Sequence, residues 1–332
     1  MKRIITLFLT LALTLSLAAC AAPGEKADDG KLQIVATLFP YYDFARAIAG
    51  GRADVTLLLS PGREAHSFEP TPLDAVTISE ANVFLYNGGE GEYWVEEMLD
   101  AAGEHIAVKA RMMDYVDALG EEFSEGMQGA DEHDHDHDHS DHDHDHEEDE
   151  HDSDEIEYDE HIWTSPKNAA ILCRAVCEAI CKADPANEDF YRANCDDYCA
   201  QIEALDARFS ALCESAPRKL LIFADRFPML YFCREYGLDY RAAFHGCSGD
   251  TEPSLATIKF LIDKVEDENI PVVYTIDFGT KKVAAVVSEC TGAAIETICS
   301  MQTVSRADFD AGETYLTLME RNFEALRKGL NE

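Results

Sequence analysis

The sequence is poor in basic residues. Its 332 residues include 27 Lys and Arg against 65 Asp and Glu, and the formal net charge is −38. Proteins bind nucleic-acid phosphates and anionic lipid headgroups largely through Lys and Arg. The composition therefore argues against a nucleic-acid partner and against electrostatic attachment to a membrane. Hydrophobic residues make up 46% of the chain, which is an ordinary fraction for a globular protein with a sizeable core.

The chain also lacks the short motifs that mark common hydrolases. Neither an HExxH zinc-protease motif nor a GxSxG nucleophile elbow occurs in it. After the first twenty residues, no apolar run is long enough to span a bilayer. We therefore do not expect this protein to be an enzyme. If it were one, an exported zinc-dependent hydrolase would be the alternative.

The N-terminal segment has the pattern of an export signal. Lys2 and Arg3 precede an apolar run that closes with Leu-Ala-Ala and then Cys20. This pattern predicts a cleaved signal peptide over 1–19. A cysteine directly after Leu-Ala-Ala resembles a bacterial lipobox, so we expect lipidation of Cys20, a polar tether over 20–30, and a lipid-anchored location outside the cytoplasmic membrane. The alternative is a plain cleavage site followed by a chance cysteine.

Ten further cysteines follow, which is many for an exported chain. Cys173, Cys177 and Cys181 recur every four residues, and so do Cys195 and Cys199. This spacing places side chains along one face of a helix. The simplest interpretation is that they are small buried hydrophobes in helix packing. A thiolate metal site or disulfides are the alternatives, although no CxxC pair indicates a zinc ribbon.

Apolar runs alternate with helical patterns from residue 32 to about 108, and again from about 219 onward. This alternation is typical of parallel sheets covered by helices, so the predicted fold class is α/β. Between the two halves lies a helical pattern longer than most globular helices. We predict an N-terminal lobe over 31–186, a linking helix over 187–215 and a C-terminal lobe over 216–332.

A histidine- and aspartate-rich insert interrupts the first lobe at about 121–160. Residues 131–160 contain eighteen Asp and Glu and neither Lys nor Arg, so the segment is predicted to be disordered. Its histidines alternate with carboxylates and are His133, His135, His137, His139, His142, His144, His146 and His151. Imidazole suits zinc, copper and nickel, and carboxylates attract cations. On a flexible coil such ligands should form weak, exchangeable sites suited to capturing metal.

Two histidines outside the insert are candidates for a tighter site. His66 follows the second predicted strand, and His161 precedes a predicted helix just after the insert. In α/β proteins, ligands bind at the ends of strands and the starts of helices. Lone loop histidines are more often surface residues, but the adjacent metal-binding insert favours a role as ligands.

At this point the sequence resembles a known family. The segments PGREAHSFEPTPLD, ISEANVFLYNGGEGEYW, HIWTSPKNA, REYGLDY and SGDTEPS occur in order, together with the insert and the lipobox. They resemble the zinc- and manganese-binding solute-binding lipoproteins of ABC importers, a cluster that includes some metal-binding adhesins. The resemblance covers about 31–332. It implies two (β/α) lobes with parallel sheets, joined by a long rigid backbone helix, with one metal ion bound between them.

The resemblance also implies a set of metal ligands. His66 matches the family's first ligand and His161 the second. The third is usually a histidine, but counting back from Tyr231 puts Arg226 at that position. An always-protonated guanidinium cannot ligate a cation. We expect His245 to substitute, the alternative being a histidine at the cleft rim without metal contact.

The family's fourth ligand is an acidic residue after a later strand. Asp277 fits this position best, and Glu252 and Asp225 are the fallback candidates. Either fallback could instead pair with Arg226.

Three imidazoles and one carboxylate favour zinc, whereas two imidazoles with two carboxylates would tolerate manganese better. The insert resembles those of the family's zinc members, so the expected cargo is Zn²⁺, with Mn²⁺ as the alternative. By resemblance, the partner is the membrane permease of an ABC transporter and the protein is a monomer. A passive metal buffer or adhesin without a transporter is the remaining alternative.

Overall fold

The computed structural model describes residues 30–63, 68–102, 106–127, 157–246 and 252–331. All the elements given below belong to one compact unit, Leu32–Glu332. Within the described residues, no helix is both long and apolar enough to cross a bilayer.

The N-terminal lobe is built on a four-stranded parallel sheet with the strand order β2-β1-β3-β4. The strands are β1 (Leu32–Ala36), β2 (Ala53–Leu57), β3 (Val83–Tyr86) and β4 (Val108–Arg111). Its helices are α1 (Phe39–Ala49), α2 (Pro72–Ser79), α3 (Trp94–Ala102) and α4 (Pro166–Ala183). Consecutive β1 residues from Ile34 to Ala36 are buried, as expected for a parallel strand covered on both faces.

The helices begin where the sequence supplies caps. Thr71 and Asp74 form a reciprocal capping box at the start of α2, which satisfies two backbone N–H groups of the first turn. At α4, the Ser165 hydroxyl accepts from the backbone N–H of Asn168 at 3.4 Å, and Pro166 occupies the first helical position. This start fixes where the chain leaves the segment that contains His161.

A long helix, α5 (Glu188–Ser215), follows α4 and packs against both lobes. On the N-terminal side, the Tyr198 hydroxyl donates to the buried carboxylate of Asp43 at 2.5 Å. Toward its other end, the Phe209 ring lies 4.9 Å from that of Phe232 and 5.3 Å from that of Phe323. The helix thus contributes to the packing of each lobe.

The C-terminal lobe has a second four-stranded parallel sheet, with the order β6-β5-β7-β8. The strands are β5 (Leu220–Phe227), β6 (Asp239–His245), β7 (Val272–Ile276) and β8 (Ala294–Ile298). The helices are α6 (Leu230–Tyr236), α7 (Leu255–Asp267), α8 (Lys282–Thr291), α9 (Arg306–Ala311) and α10 (Tyr315–Asn331). The predicted fold class, two α/β lobes with a long helix between them, is confirmed. The sequence analysis missed β8 and the short helices α6 and α9.

The described ends of the insert are ordered, in contrast to the disorder predicted for all of 121–160. Gly120 and Tyr158 form an antiparallel bridge. The Glu121 N–H donates to the Glu157 carbonyl at 2.8 Å, and the Asp159 N–H donates to the Leu119 carbonyl at 2.9 Å. These pairings satisfy backbone groups that would otherwise need water. The rest of the predicted insert, residues 128–156, lies outside the described residues.

Residues 299–305, between β8 and α9, run along the N-terminal lobe and are called the strap. The Gln302 carbonyl accepts from the Phe39 N–H at 3.3 Å, and the Val304 carbonyl accepts from the Gly62 N–H at 2.8 Å. Ser300, at the start of the strap, accepts from the Trp163 indole N–H at 2.8 Å. The strap therefore fixes the end of the second sheet against the segment that follows the insert.

Candidate metal centre

The structure describes three of the four predicted ligands. His161, His245 and Asp277 lie within the described residues, whereas His66 lies outside them. The eight insert histidines and Cys20 also lie outside the described residues.

His161 is held in one orientation by a neighbouring carboxylate. Its ring Nδ1 lies 3.2 Å from Oδ1 of Asp159, which also accepts the His161 backbone N–H at 2.8 Å. Because a carboxylate only accepts, this contact favours the Nδ1–H tautomer and leaves the lone pair on Nε2. A carboxylate that binds the other ring nitrogen in this way is a usual partner of a metal-ligating histidine. Sequence reasoning missed Asp159, although its position two residues before His161 was visible.

The Asp159 segment is itself anchored from both lobes. The Tyr231 hydroxyl, on α6, donates to the Asp159 carbonyl at 2.8 Å and accepts from the Leu119 N–H at 3.0 Å. The Asn87 amide donates to the Glu160 carbonyl at 3.0 Å. The imidazole is therefore supported by rigid elements rather than by a loop alone, as a tight site requires.

Backbone from the second lobe reaches the His161 ring at Gly246, directly after β6. A Cβ on Gly246 would lie 3.0 Å from both Cε1 and Nδ1 of His161, and 2.9 Å from the Phe227 carbonyl oxygen. A side chain at this position would therefore force the Phe227 carbonyl or the His161 ring to move. Glycine therefore allows the end of β6 to lie directly against His161.

His245 is the last residue of β6 and joins the same cluster. Its Nδ1 lies 2.7 Å from Oε2 of Glu121, and its ring packs 5.1 Å from that of Phe123. Hydrogen bonding to Glu121 raises the pKa of His245, against a lowering from burial. The sequence analysis places Glu121 in the disordered insert. In the structure, the backbone pairing of Glu121 with Glu157 places the Glu121 carboxylate beside His245.

Asp277 directly follows β7 and is tied to the strap. Its Oδ1 accepts from the Ser300 N–H at 3.2 Å, and the Ser300 carbonyl in turn binds Trp163. The Trp163 ring contacts that of His161 at 5.6 Å. Burial raises the pKa of Asp277 from 3.8 to about 6. Asp277 and His161 thus belong to one connected set of contacts.

Arg226 lies at a bulge in β5, between the positions predicted for the third and fourth ligands. The register with β6 shifts between Phe223 and Arg226. At this bulge the Asp225 carboxylate accepts from the Thr275 hydroxyl at 2.6 Å and from the Arg226 backbone N–H at 2.9 Å. The fallback ligand Asp225 is therefore engaged in holding β5 to β7.

The other fallback, Glu252, is 79% exposed and lies 3.5 Å from the Lys282 ammonium. Asp277, which is partly buried, therefore stays the predicted acidic ligand.

Two more acidic side chains lie beside this cluster, and sequence reasoning missed both. Glu92 and Glu160 line a cavity together with Leu59, Phe68 and Gln302. Burial raises the pKa of Glu92 to about 7 and also raises that of Glu160. The Glu160 carboxylate accepts from the Gly91 N–H at 2.7 Å.

The electrostatics of this region favour a bound cation. Burial alone would lower the pKa of His161, but the carboxylates of Asp159, Glu160 and Glu121 outweigh it and raise the pKa. Burial also raises the pKa of Asp277, and the Glu121 carboxylate raises that of His245. Negative charge confined in a poorly solvated site is relieved either by protons or by a metal ion.

Two α/β lobes, each with a four-stranded parallel sheet and joined by a long helix, are the architecture of a solute-binding protein. The family model described as zinc-uptake complex component A, periplasmic, matches residues 34–329. The chain belongs to this family.

Two curated relatives illustrate the similarity. The chain is 31% identical to the high-affinity zinc uptake system protein ZnuA of Bacillus subtilis, covering 98% of this chain and 97% of that protein. It is 29% identical to the zinc-binding lipoprotein AdcA of Streptococcus pneumoniae, over 99% of this chain but only 61% of the length of AdcA.

Solved structures agree with the fold. The Zn(II)-bound ZnuA-like domain of Streptococcus pneumoniae AdcA superposes with a TM-score of 0.71 at 25% identity, covering 91% of this chain and 100% of that chain. The metal-dependent lipoprotein YcdH of Bacillus subtilis gives a TM-score of 0.72 at 28% identity, covering 90% of this chain and 100% of the other.

The contact between Gly246 and His161 gives a testable consequence. Gly246→Ala should destabilise the metal-free protein by about 1–3 kcal/mol, because the added methyl must displace the ring or the Phe227 carbonyl. Denaturant unfolding measures the change. As a control, Gly51→Ala, where a Cβ meets nothing within 4 Å, should stay within about 0.5 kcal/mol of the parent. Equal effects of the two substitutions would contradict the close approach.

Proposed function

We propose that this protein captures Zn²⁺ outside the cytoplasmic membrane and delivers it to the permease of an ABC transporter. The proposal is supported by the zinc-uptake family to which the chain belongs. It is also supported by the contact of Gly246, the residue after His245, with the His161 ring and by the link from Asp277 through Ser300 and Trp163 to His161. We infer that His66 completes the ligand set.

The proposed donor set favours zinc over manganese. Three imidazoles and one carboxylate form a borderline, near-tetrahedral environment of the kind that zinc prefers. His161 is buried, and His245 and Asp277 are partly buried, so an ion among them would exchange part of its hydration shell for protein ligands. Of the two relatives described above, one is named for zinc uptake and the other for zinc binding.

The insert serves, in this proposal, as an auxiliary trap. Its eight imidazoles and many carboxylates would raise the local concentration of zinc near the cleft. The ordered pairing of Glu121 with Glu157 means that the insert enters and leaves the fold next to His161 and His245. Metal released by the insert would therefore be released close to the proposed site.

Zinc titration of a variant that lacks residues 131–156 tests the ligand set. We expect one tight equivalent to survive the deletion. In this background, His66→Ala and His161→Ala should each weaken binding by about 100-fold or more, since each removes a ligand from a four-ligand site. Asp159→Asn should cost about 10–100-fold, because it removes only the group that orients His161. Competition against a chelator measures these affinities.

His105→Ala is the matched control, because it removes a histidine outside the proposed set. Its affinity should equal that of the parent. If all tight binding disappears with the insert alone, the protein is a passive metal buffer and the two-lobe site is wrong.

Zinc affinity should fall steeply with acidification. Protons compete with zinc for His161, His245 and Asp277, whose pKa values are all raised. Between about pH 7.5 and about pH 5.5 we expect a loss of about 100-fold or more, because ligands must be deprotonated to bind. Calorimetric titration of the insert-deleted protein measures it, and equal affinities would exclude imidazole ligation.

In the metal-free protein, the same three groups should stabilise the fold at low pH rather than at high pH. A folded-state pKa above the unfolded value contributes stability at low pH that is lost as the pH rises through the folded pKa. Stability from Asp277 is therefore lost as the pH rises from about 4 to about 6, and that from the two histidines above about 6.5. The increase in melting temperature on adding zinc should accordingly be larger at about pH 7.5 than at about pH 5.5.

The proposed location depends on Cys20. Acylation of this thiol would hold the protein at the outer face of the membrane, since two or more acyl chains give stable anchoring. Cys20→Ser should shift the protein from the membrane fraction to the aqueous fraction and abolish labelling by a fatty-acid analogue. Cys290→Ser, at an exposed cysteine, is the control that should leave both unchanged. A membrane-bound Cys20→Ser protein would contradict lipid anchoring.

A further inference from the structure

A cluster of five cysteines lies between α4 and α5, outside the candidate centre. Cys173, Cys177 and Cys181 are on α4, and Cys195 and Cys199 are on α5. None is more than 5% exposed. The four-residue spacing predicted one face of each helix, and the structure packs those two faces against each other.

The sulfur atoms are arranged as a metal site would require. The Sγ atoms of Cys173, Cys195 and Cys199 all lie within 4.8 Å of one another, and those of Cys195 and Cys199 are 3.8 Å apart. A tetrahedral ion with Zn–S bonds of about 2.3 Å separates its sulfurs by about 3.8 Å. Little movement would therefore bring these three sulfurs to a common ion.

Cys177 lies beside this group of three, although its Sγ is not within 4.8 Å of all of them. It shares a thiol contact with Cys195, and its Sγ lies 3.9 Å from that of Cys181. Each helix then provides a pair of ligands one turn apart, Cys173 with Cys177 and Cys195 with Cys199. Two such pairs facing each other can surround one ion from opposite sides.

In the metal-free protein the thiols are held by helix carbonyl groups that accept from them. Cys195 Sγ lies 3.8 Å from the Cys173 carbonyl, and Cys199 Sγ lies 3.7 Å from the Ala170 carbonyl. Hydrogen bonds among the thiols lower the pKa of Cys195 and raise those of Cys173 and Cys177, so ionisation of the whole set would come with the metal, which deprotonates a coordinating thiol. A thiolate, rather than a thiol, is the form that binds metal.

We propose that Cys173, Cys177, Cys195 and Cys199 form a second, thiolate site for a zinc-type cation, which links α4 to the long helix α5. This site would differ in kind from the cleft, because four sulfurs select soft and borderline ions and shield them from solvent. Its ion would be structural, since a closed set of four ligands has no open position for exchange.

Titration of the full-length, reduced chain with Co²⁺ tests this site without interference from the insert. Imidazole and carboxylate ligands give no intense near-ultraviolet band, whereas thiolates bound to Co²⁺ give a strong charge-transfer absorption. The insert and the cleft also take up Co²⁺, so the band should saturate once they are filled, at the intensity of one thiolate-bound Co²⁺ per chain. It should disappear with excess Zn²⁺, because zinc binds such sites more tightly.

Matched variants assign the band to these residues. Cys195→Ala and Cys199→Ala should each lose it, whereas Cys213→Ala, at another buried cysteine of α5, should retain it. Circular dichroism shows whether each variant is folded, and Cys173→Ala replaces any that is not. Absence of the band in the reduced parent, its survival in folded Cys195→Ala, or disulfides between α4 and α5 in protein purified without oxygen would each overturn the proposal.

Discussion

The position of one imidazole, that of His161, is the constraint on which the candidate centre depends. The Asp159 carboxylate orients the ring through Nδ1, Tyr231 holds the Asp159 backbone, and the Trp163 indole binds the strap after β8. The chain that carries His161 is therefore fixed to the second lobe at several points. Because both lobes contact this short segment, its geometry defines the region where they meet.

Negative charge is the second property of this region. Asp159, Glu160 and Glu121 surround His161, and Glu92 and Asp277 are carboxylates whose pKa values rise through burial. Folding places these groups together at a cost in desolvation. A divalent cation relieves that cost at neutral pH, and protons relieve it at lower pH. Metal binding and protonation are therefore alternatives at the same groups, which couples cation capture to pH.

The two proposed metal environments differ in their chemistry. The cleft offers imidazole and carboxylate donors on elements from both lobes, which suits an ion that must arrive and leave. The cysteine cluster offers sulfur donors from two packed helices, which suits an ion that stays. Helix α4 lies next to both, because it begins five residues after His161 and carries Cys173 and Cys177. A structural ion there would stiffen the support of the cleft.

Much of the fold follows from local pattern. The alternation of apolar runs and helical periods predicted two α/β lobes, and the long polar-apolar repeat predicted the helix now seen as Glu188–Ser215. The strand β8 was missed because only one of its five residues is buried, so its sequence lacks a continuous apolar run. The short helices α6 and α9 were missed because a period of 3.6 cannot be read from six or seven residues.

The sequence by itself determined the residue types available to a cation. It identifies the candidates His161, His245 and Asp277 and the alternating insert without coordinates. Only the tertiary structure decided their neighbours. Glu121 reaches His245, Asp159 orients His161, Gly246 allows β6 to approach, and four cysteines face one another across two helices. Each of these depends on the packing of segments distant in the chain or on side-chain direction, and local sequence pattern specifies neither.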